Sequence, residues 1–194
     1  MKVAAFNCSA RADGNTSLLI ARVLEELEAE GIETEVFSTA GKRIHGCTAC
    51  MKCRETKDGT CSGLKDYGNE LIEAAGTADG IIIGSPVYFS DITAEAKALI
   101  DRLGYVSGAT PEMLRRKVGA GVIAVRRAGA IHAFDSINHL FLISEMIVPG
   151  SSYWNIGVGG PSGAVAGDEE GMRTMATLGR NMAWLLKRVG DRSE

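Results

Sequence analysis

Four of the five cysteines lie within fifteen consecutive residues, at a spacing that suits metal or redox chemistry. They are Cys47, Cys50, Cys53 and Cys61. Cysteines at successive intervals of three can converge from one tight loop on an iron–sulfur cubane, and a fourth ligand can follow later in the chain. Zinc ribbons instead use two Cys-x2-Cys pairs separated by a long insert. The spacing favours a [4Fe–4S] cluster, with zinc and a metal-free thiol loop as the open alternatives.

The cysteine segment is basic, although the whole chain carries a formal net charge of −3. Five Lys and Arg residues stand against two acidic residues between Gly41 and Cys61. A cubane with four thiolates is anionic, so basic surroundings lower the cost of assembling it. The alternative is a solvated loop whose basic residues attract the phosphates of a nicotinamide nucleotide. The fifth cysteine, Cys8, ends an apolar strand and is expected to be a small core residue.

Residues 8–17 follow the first predicted strand and lead directly into a helix. Hydroxyl side chains, backbone N–H groups and the helix dipole favour an anion here, and Arg11 adds a permanent positive charge. The segment has no Gly-Lys-Ser/Thr of a Walker loop, and its single Gly14 does not make a dinucleotide fingerprint. Cys8 and Arg11 are too close in sequence for a low-molecular-weight tyrosine phosphatase. The pattern favours a monophosphate such as that of FMN; the alternative is an ordinary capped turn.

Residues 84–91 follow a predicted strand that is apolar throughout. Pro86 stiffens the turn, and Tyr88 and Phe89 place two aromatic rings at the carboxyl end of the strand. Exposed rings at that position are best explained by a planar ligand that covers them. Asp91 is predicted to cap the helix that follows. The alternative is an aromatic pair in the core.

Strands and helices alternate five times along the chain, as hydrophobic periodicity indicates. The predicted strands are 2–7, 34–38, 79–84, 119–125 and 151–157. The predicted helices are 16–30, capped by Asn15 or Thr16, then 65–75, 92–103 and 131–146, and a last helix that begins at Asp168. This order predicts an α/β fold, a doubly wound five-stranded parallel sheet with helices on both faces. At 194 residues we expect a single domain, residues 1–194, with a cysteine-rich loop insertion at about 41–63.

Several of these motifs together resemble one family. They are Asn7-Cys8-Ser9-Ala10-Arg11 with Gly14-Asn15-Thr16, the cysteine motif, Gly84-Ser85-Pro86-Val87-Tyr88-Phe89, and Lys97 with Asp101-Arg102. The chain is similar to the flavodoxin-like NAD(P)H-dependent FMN reductases, and most of all to the iron–sulfur flavoproteins among them. The resemblance spans nearly the whole chain.

The resemblance implies which residues form the site. In that family the first loop holds the FMN phosphate, which transfers to Ser9, Arg11, Asn15, Thr16 and Ser17. The loop after the third strand lines the flavin ring and ribityl chain, which transfers to Pro86, Val87, Tyr88 and Phe89. The loop after the fourth strand borders the pyrimidine end, which transfers to Arg126, Arg127 and Gly129. The cluster ligands would be Cys47, Cys50, Cys53 and Cys61, and no side-chain acid or base is expected for catalysis.

The expected function is an FMN-dependent NAD(P)H oxidoreductase that passes electrons to a small-molecule or protein acceptor. The alternatives are a flavodoxin-type electron carrier, a cluster-free FMN or quinone reductase with a zinc or thiol loop, and a regulatory zinc or redox-sensing module. The acidic balance gives no sign of a nucleic-acid partner. No apolar run approaches the ~20 residues of a membrane span. We expect a cytoplasmic homodimer or homotetramer.

Overall fold

The computed structural model describes residues 1–190, so the predicted domain 1–194 includes four residues outside the described part. Five strands form the sheet: β1 (Lys2–Asn7), β2 (Glu33–Ser38), β3 (Gly80–Pro86), β4 (Val118–Val125) and β5 (Ile156–Val158). Six α-helices accompany them: α1 (Asn15–Ala29), α2 (Lys52–Thr56), α3 (Tyr67–Thr77), α4 (Ala94–Ser107), α5 (Ala130–Ile143) and α6 (Glu169–Val189). A 3-10 turn, Ala164–Gly167, precedes α6.

All the strands are parallel and lie in the order β2-β1-β3-β4-β5. Apolar side chains of α3, α4 and α5 pack against one face of the sheet in a cluster that includes Leu71, Leu99 and Phe141. Those of α1 and α6 cover the other face in a second cluster that includes Leu19 and Met182. The central strand β3 is buried on both faces, which requires its apolar run. The predicted doubly wound fold is therefore confirmed.

Three local predictions are wrong. The last strand has only three residues, because residues 151–155 form a bend in which the Ser151 hydroxyl donates to the Tyr153 carbonyl and the Asn155 side chain. Gly14, rather than Asn15 or Thr16, is the N-cap of α1. The cysteine loop, expected to be irregular, contains the short helix α2. Among residues 1–190, no helix combines the length and apolarity that a bilayer crossing requires.

Candidate functional site

The loops that follow β1 and β3 meet at the carboxyl edge of the sheet. The backbone N–H of Cys8 donates to the carbonyl of Gly84, and the Thr93 hydroxyl donates to the carbonyl of Cys8 at 2.7 Å. Between β1 and β3 the connections leave in opposite directions, because β2 lies outside β1 and β4 lies outside β3. In open α/β sheets a ligand binds at such a switch point, and a flavodoxin-like order places FMN there.

The loop after β1 is held in shape by a buried amide. Asn7 Oδ1 accepts from the N–H of Ser9, and Asn7 Nδ2 donates to the carbonyl of Ala12. The Ser9 hydroxyl, also buried, accepts from the N–H of Arg11. Among the described residues no acid lies within ion-pair distance of Arg11, whose side chain is exposed. The loop therefore presents an uncompensated guanidinium at the switch point.

The N-terminus of α1 opens onto the same loop. Gly14 has an extended backbone and supplies no side chain to the first turn, and that turn contains no acidic residue. The Ser17 hydroxyl bonds instead to the backbone of Gly14, accepting from its N–H and donating to its carbonyl. Thr16 is buried, with its methyl group against Gly84. First-turn N–H groups have no partner within a helix, so this end can bind an anion.

Asn15 joins this loop to the one that follows β5. Its Nδ2 donates to the carbonyls of Gly159 and Pro161, and its Oδ1 accepts from the N–H of Val165. Both amide donors are therefore used within the protein. Asn15 contributes to an anion site by placing the backbone of α1 and the loop after β5, a role that only the tertiary contacts reveal.

The loop after β3 has an unusual backbone. Phe89 and Ser90 both have positive φ, 50° and 68°, a region that residues with a Cβ seldom adopt. The Phe89 ring is fully exposed and that of Tyr88 is nearly half exposed, while Pro86 and Val87 are partly buried. Strained backbone of this kind persists where the surrounding structure fixes it, which is common at binding sites. The aromatic pair lies outside the core, contrary to the alternative considered above.

Asp91 does not cap α4, because Thr93 does so by accepting from the N–H of Ala96. Asp91 instead accepts from Ile92 N–H and from the Ser136 hydroxyl, and lies 3.4 Å from His132 Nε2. Burial acts to raise the pKa of the Asp91 carboxyl, but these partners outweigh it and hold the pKa below its ordinary value. The carboxylate thereby ties the β3 loop to the start of α5.

The loop after β4 completes the edge. Gly129 has a φ of 88°, and a Cβ there would lie 2.8 Å from the Ser90 Cα, so the loops after β3 and β4 touch only because this residue is glycine. Arg126 and Arg127 are exposed. A Cβ at Gly160 would lie 3.7 Å from Arg126 Cγ, which places the loop after β5 alongside. All the predicted flavin-site residues thus belong to three connections at one edge of the sheet, those that follow β1, β3 and β4.

The four clustered cysteines line a single cavity between their own loop and α4. Cys50 is exposed, and Cys47, Cys53 and Cys61 are half-buried. The thiol of Cys53 donates to the Tyr105 carbonyl, and a Cβ at Gly63 would overlap the Cys50 sulfur. Within residues 1–190, no three His, Cys, Asp or Glu side chains are arranged to hold one metal ion. The sequence predicted that these four cysteines lie close together. In the structure their side chains line one cavity, but the thiols do not converge on a point.

The backbone of this loop winds through left-handed positions between the cysteines. Ala49 and Met51 have φ values of 52° and 61°. Alternation of left- and right-handed residues turns successive N–H groups inward, and such nests bind anions and iron–sulfur centres. The Ala49 N–H donates to the Cys47 sulfur. A hydrogen bond from the Lys52 backbone lowers the pKa of the Cys50 thiol.

Two other thiols are disfavoured as free thiolates. Burial raises the pKa of Cys53, and negative charge on Cys61 and Cys47 acts in the same direction. Burial, with a smaller contribution from the Glu95 carboxylate, raises the pKa of Cys8 to about 12. Cys8 lies in the core, as predicted, and takes no part in the cysteine cavity.

Arg102 belongs to the Asp101-Arg102 motif, and the structure shows where its side chain lies. Its side chain is completely buried on α4 and lines the cysteine cavity. The guanidinium donates to Asp66 Oδ1 at 2.5 Å and to Asn69 Oδ1 at 2.8 Å. The sequence did contain a signal, since Arg102 stands three residues after Leu99 on the buried face of α4. Asn7 carried a similar one, as a polar residue at the end of an apolar strand.

Comparison with known proteins identifies a family and related proteins. The sequence profile described as NADPH-dependent FMN reductase matches residues 1–160. An iron–sulfur flavoprotein of Methanocaldococcus jannaschii is 37% identical over 201 residues, covering 97% of this chain and 99% of that protein.

Solved structures give the same fold. The structure of RosB with the bound intermediate 8-demethyl-8-formylriboflavin-5'-phosphate has a TM-score of 0.80 at 19% identity, covering 100% of this chain and 82% of that one. A flavodoxin from the domain Archaea has a TM-score of 0.61 at 15% identity, covering 98% and 99%. The flavodoxin-like fold predicted from sequence is confirmed.

Proposed function

The chain belongs to the NADPH-dependent FMN reductase family, and we propose that it is an FMN-dependent oxidoreductase that takes electrons from NAD(P)H and delivers them through a [4Fe–4S] cluster to an acceptor. The observation that supports the proposal is that two separate features occur in the same molecule. At the β1/β3 switch point, the exposed Arg11 and the first turn of α1 offer positive charge and backbone N–H groups, and a cavity lined by four cysteines lies beside α4. An FMN reductase without the cluster would need only the first.

The first loop and the start of α1 would hold the FMN phosphate. Ser9, Arg11 and the backbone N–H groups of Asn15, Thr16 and Ser17 line that position, and Asn7 fixes the loop around it. The N-terminus of α1, which has no side-chain cap and no acidic residue in its first turn, provides the fit, since an anion there meets a favourable helix dipole. Arg11 adds a charge that no acid of the described chain neutralises.

The remaining loops would hold the flavin ring. Pro86 and Val87 line one side at the end of β3, and Tyr88 and Phe89 supply exposed aromatic surface that a planar ring can cover. Arg126, Arg127 and the backbone of Gly129 border the pyrimidine end, where a cation stabilises the negative charge of a reduced flavin. FMN, when bound, would supply the hydride and electron chemistry, so the protein has to position the nicotinamide and needs no acid or base of its own.

Cys47, Cys50, Cys53 and Cys61 would hold the cluster. A [4Fe–4S] cluster is held by four Cys thiolates, and these four side chains line one cavity. The buried Arg102, which lines the same cavity, would offset the negative charge of such a group. A cluster would supply one-electron transfer, which gives a two-electron carrier an outlet to a one-electron acceptor.

Anaerobic purification followed by cofactor analysis tests the proposal. We expect one FMN and about four irons with matching acid-labile sulfide per chain, and bleaching of the flavin absorbance when NADH or NADPH is added. FMN without iron would support the cluster-free reductase instead. Tightly bound FMN that neither nucleotide reduces would support the flavodoxin-type carrier, and one zinc per chain would support the zinc loop.

A further inference from the structure

Arg102 provides a buried positive charge next to the cysteine cavity. Its side chain has no exposed surface, yet it is neutralised by one carboxylate, that of Asp66. Its other protein partners are neutral: the Asn69 amide oxygen and the His45 carbonyl oxygen, the latter at 3.4 Å. Gly68 leaves the space that the guanidinium occupies, since a Cβ there would overlap it. The chain therefore buries this cation in a site built for it.

One donor of the guanidinium is left over. In the described part of the chain, Arg102 Nε is buried without a hydrogen-bond partner. Leaving a buried donor without an acceptor destabilises a folded protein. Cys61 and the other three clustered cysteines line the cavity that Arg102 also lines. An acceptor in the cysteine cavity would satisfy this donor.

The same residue also connects the cysteine loop to the fold. Asp66 caps α3 by accepting from the N–H of Gly68, and its other oxygen accepts from the N–H of His45 at 2.7 Å. Asn69 Nδ2 donates to the carbonyl of Cys61. Arg102 thus joins α4 to both ends of the cysteine loop through Asp66 and Asn69. A shift of Arg102 would move His45 and Cys61 together.

We propose that Arg102 is a positioning residue for the cluster, which fixes the two ends of the cysteine loop and raises the reduction potential of the cluster through its buried charge and its free Nε–H. This inference rests on the proposed cluster. Electrons entering the cluster add negative charge, and a nearby buried cation stabilises that charge much more than an exposed one, which water and salt screen.

The inference predicts that two substitutions shift the midpoint potential of the cluster in opposite directions. Arg102→Gln removes the positive charge, so the midpoint potential of the cluster should move to more negative values. Asp66→Asn removes the neutralising negative charge and one of the two acceptor oxygens, while the remaining oxygen can still cap α3, because Asn is as good an N-cap as Asp. Its midpoint potential should therefore move to more positive values. If Arg102 and Asp66 had only a structural role, their substitutions would not shift the midpoint potential in opposite directions.

The test is a redox titration of anaerobically prepared protein, followed by the low-temperature EPR signal of the reduced cluster. Iron, sulfide and FMN contents are measured in parallel. The matched control is Arg173→Gln, which removes an exposed Arg of α6, on the opposite face of the sheet from α4. Opposite shifts at Arg102 and Asp66, with no shift at Arg173, support the inference. Loss of iron from Arg102→Gln with FMN retained, together with a positive shift in Asp66→Asn, also supports it.

Unchanged potentials in both variants, or shifts of the same sign, overturn the inference while leaving the cluster in place. If Arg102→Gln does not fold, the sign of the Asp66→Asn shift decides alone: a positive shift supports the electrostatic role and any other result refutes it. Wild-type protein that holds no iron would refute the proposed cluster itself, a result that the parallel iron analysis keeps distinct.

Discussion

The Nδ2 of Asn15 donates a 2.8 Å hydrogen bond to the carbonyl oxygen of Gly159, so the first residue of α1 is joined to the loop after β5. The two residues are 144 positions apart in sequence. The bond brings the last loop of the sheet against the first one, where the FMN phosphate is proposed to bind. Several properties of the protein depend on contacts of this kind.

Replacement of Asn15 by Ala should lower the free energy of unfolding by about 1–3 kcal/mol, because the change leaves the partly buried Gly159 carbonyl and the N–H of the buried Val165 without partners. Urea denaturation at neutral pH measures the loss. Asn181→Ala is the matched control, since Asn181 makes one exposed bond to the Gly150 carbonyl. Equal losses in the two variants would contradict the role given to Asn15.

Arg11→Ala should weaken FMN binding by about 1.5–3 kcal/mol, the range of one charge-assisted hydrogen bond. Riboflavin, which has no phosphate, should bind both proteins equally. Calorimetric titration of apoprotein with the two flavins measures both effects. Arg22→Ala is the control, since Arg22 pairs with Glu25 and Glu26 on α1 away from the loop. Equal affinity of the wild type for FMN and riboflavin would refute the phosphate site.

Cys50→Ala should remove iron and sulfide and leave most of the FMN in place, because the cysteine cavity and the phosphate loop are separate parts of the structure. Metal, sulfide and flavin analyses of anaerobic preparations measure this. The control is Cys8→Ala, which removes a buried thiol outside the cavity and should keep the iron. Full iron content in Cys50→Ala would show that the ligand set is different.

Asp91 should contribute to acid stability. Because its pKa in the folded protein is below the ordinary value, its stabilising effect is complete above that value, about 3.9, and is lost as the pH falls through the folded-state pKa. The stability difference between wild type and Asp91→Asn should therefore be constant above about pH 5 and shrink towards pH 2. Urea denaturation across this range measures it. Ser136→Ala removes one donor and should behave in the same direction with a smaller difference; a difference that grows in acid would contradict the assignment.

The protein should form a homodimer or homotetramer, since the exposed rings of Tyr88 and Phe89 at the proposed flavin edge leave apolar surface to be covered. Light scattering of the FMN-bound protein at micromolar concentration measures the mass. Phe89→Ser should shift the distribution to smaller species. A wild-type mass of 20.5 kDa with FMN bound would show a monomer and overturn the prediction.

The sequence by itself determined the order of the elements and the main motifs. Alternating apolar periods of strand and helix allow few arrangements other than a parallel sheet covered on both faces. The run Ile81–Ile83 indicated a strand buried on both sides, and the spacing of the cysteines indicated one loop that gathers them. These features are local, since they depend on residues a few positions apart.

Tertiary structure decided which polar groups are buried and what they bind. Asn15 serves the β5 loop, Thr93 replaces Asp91 as the cap of α4, and β5 shortens to three residues because its neighbours bond to one another instead. Arg102 lies on the buried face of α4, and its charge is accommodated there because Asp66 and Asn69, more than thirty positions earlier, lie opposite it. Periodicity reports which face of an element turns inward. The residues that bind to that inward face come from distant parts of the chain, so only the folded structure identifies them.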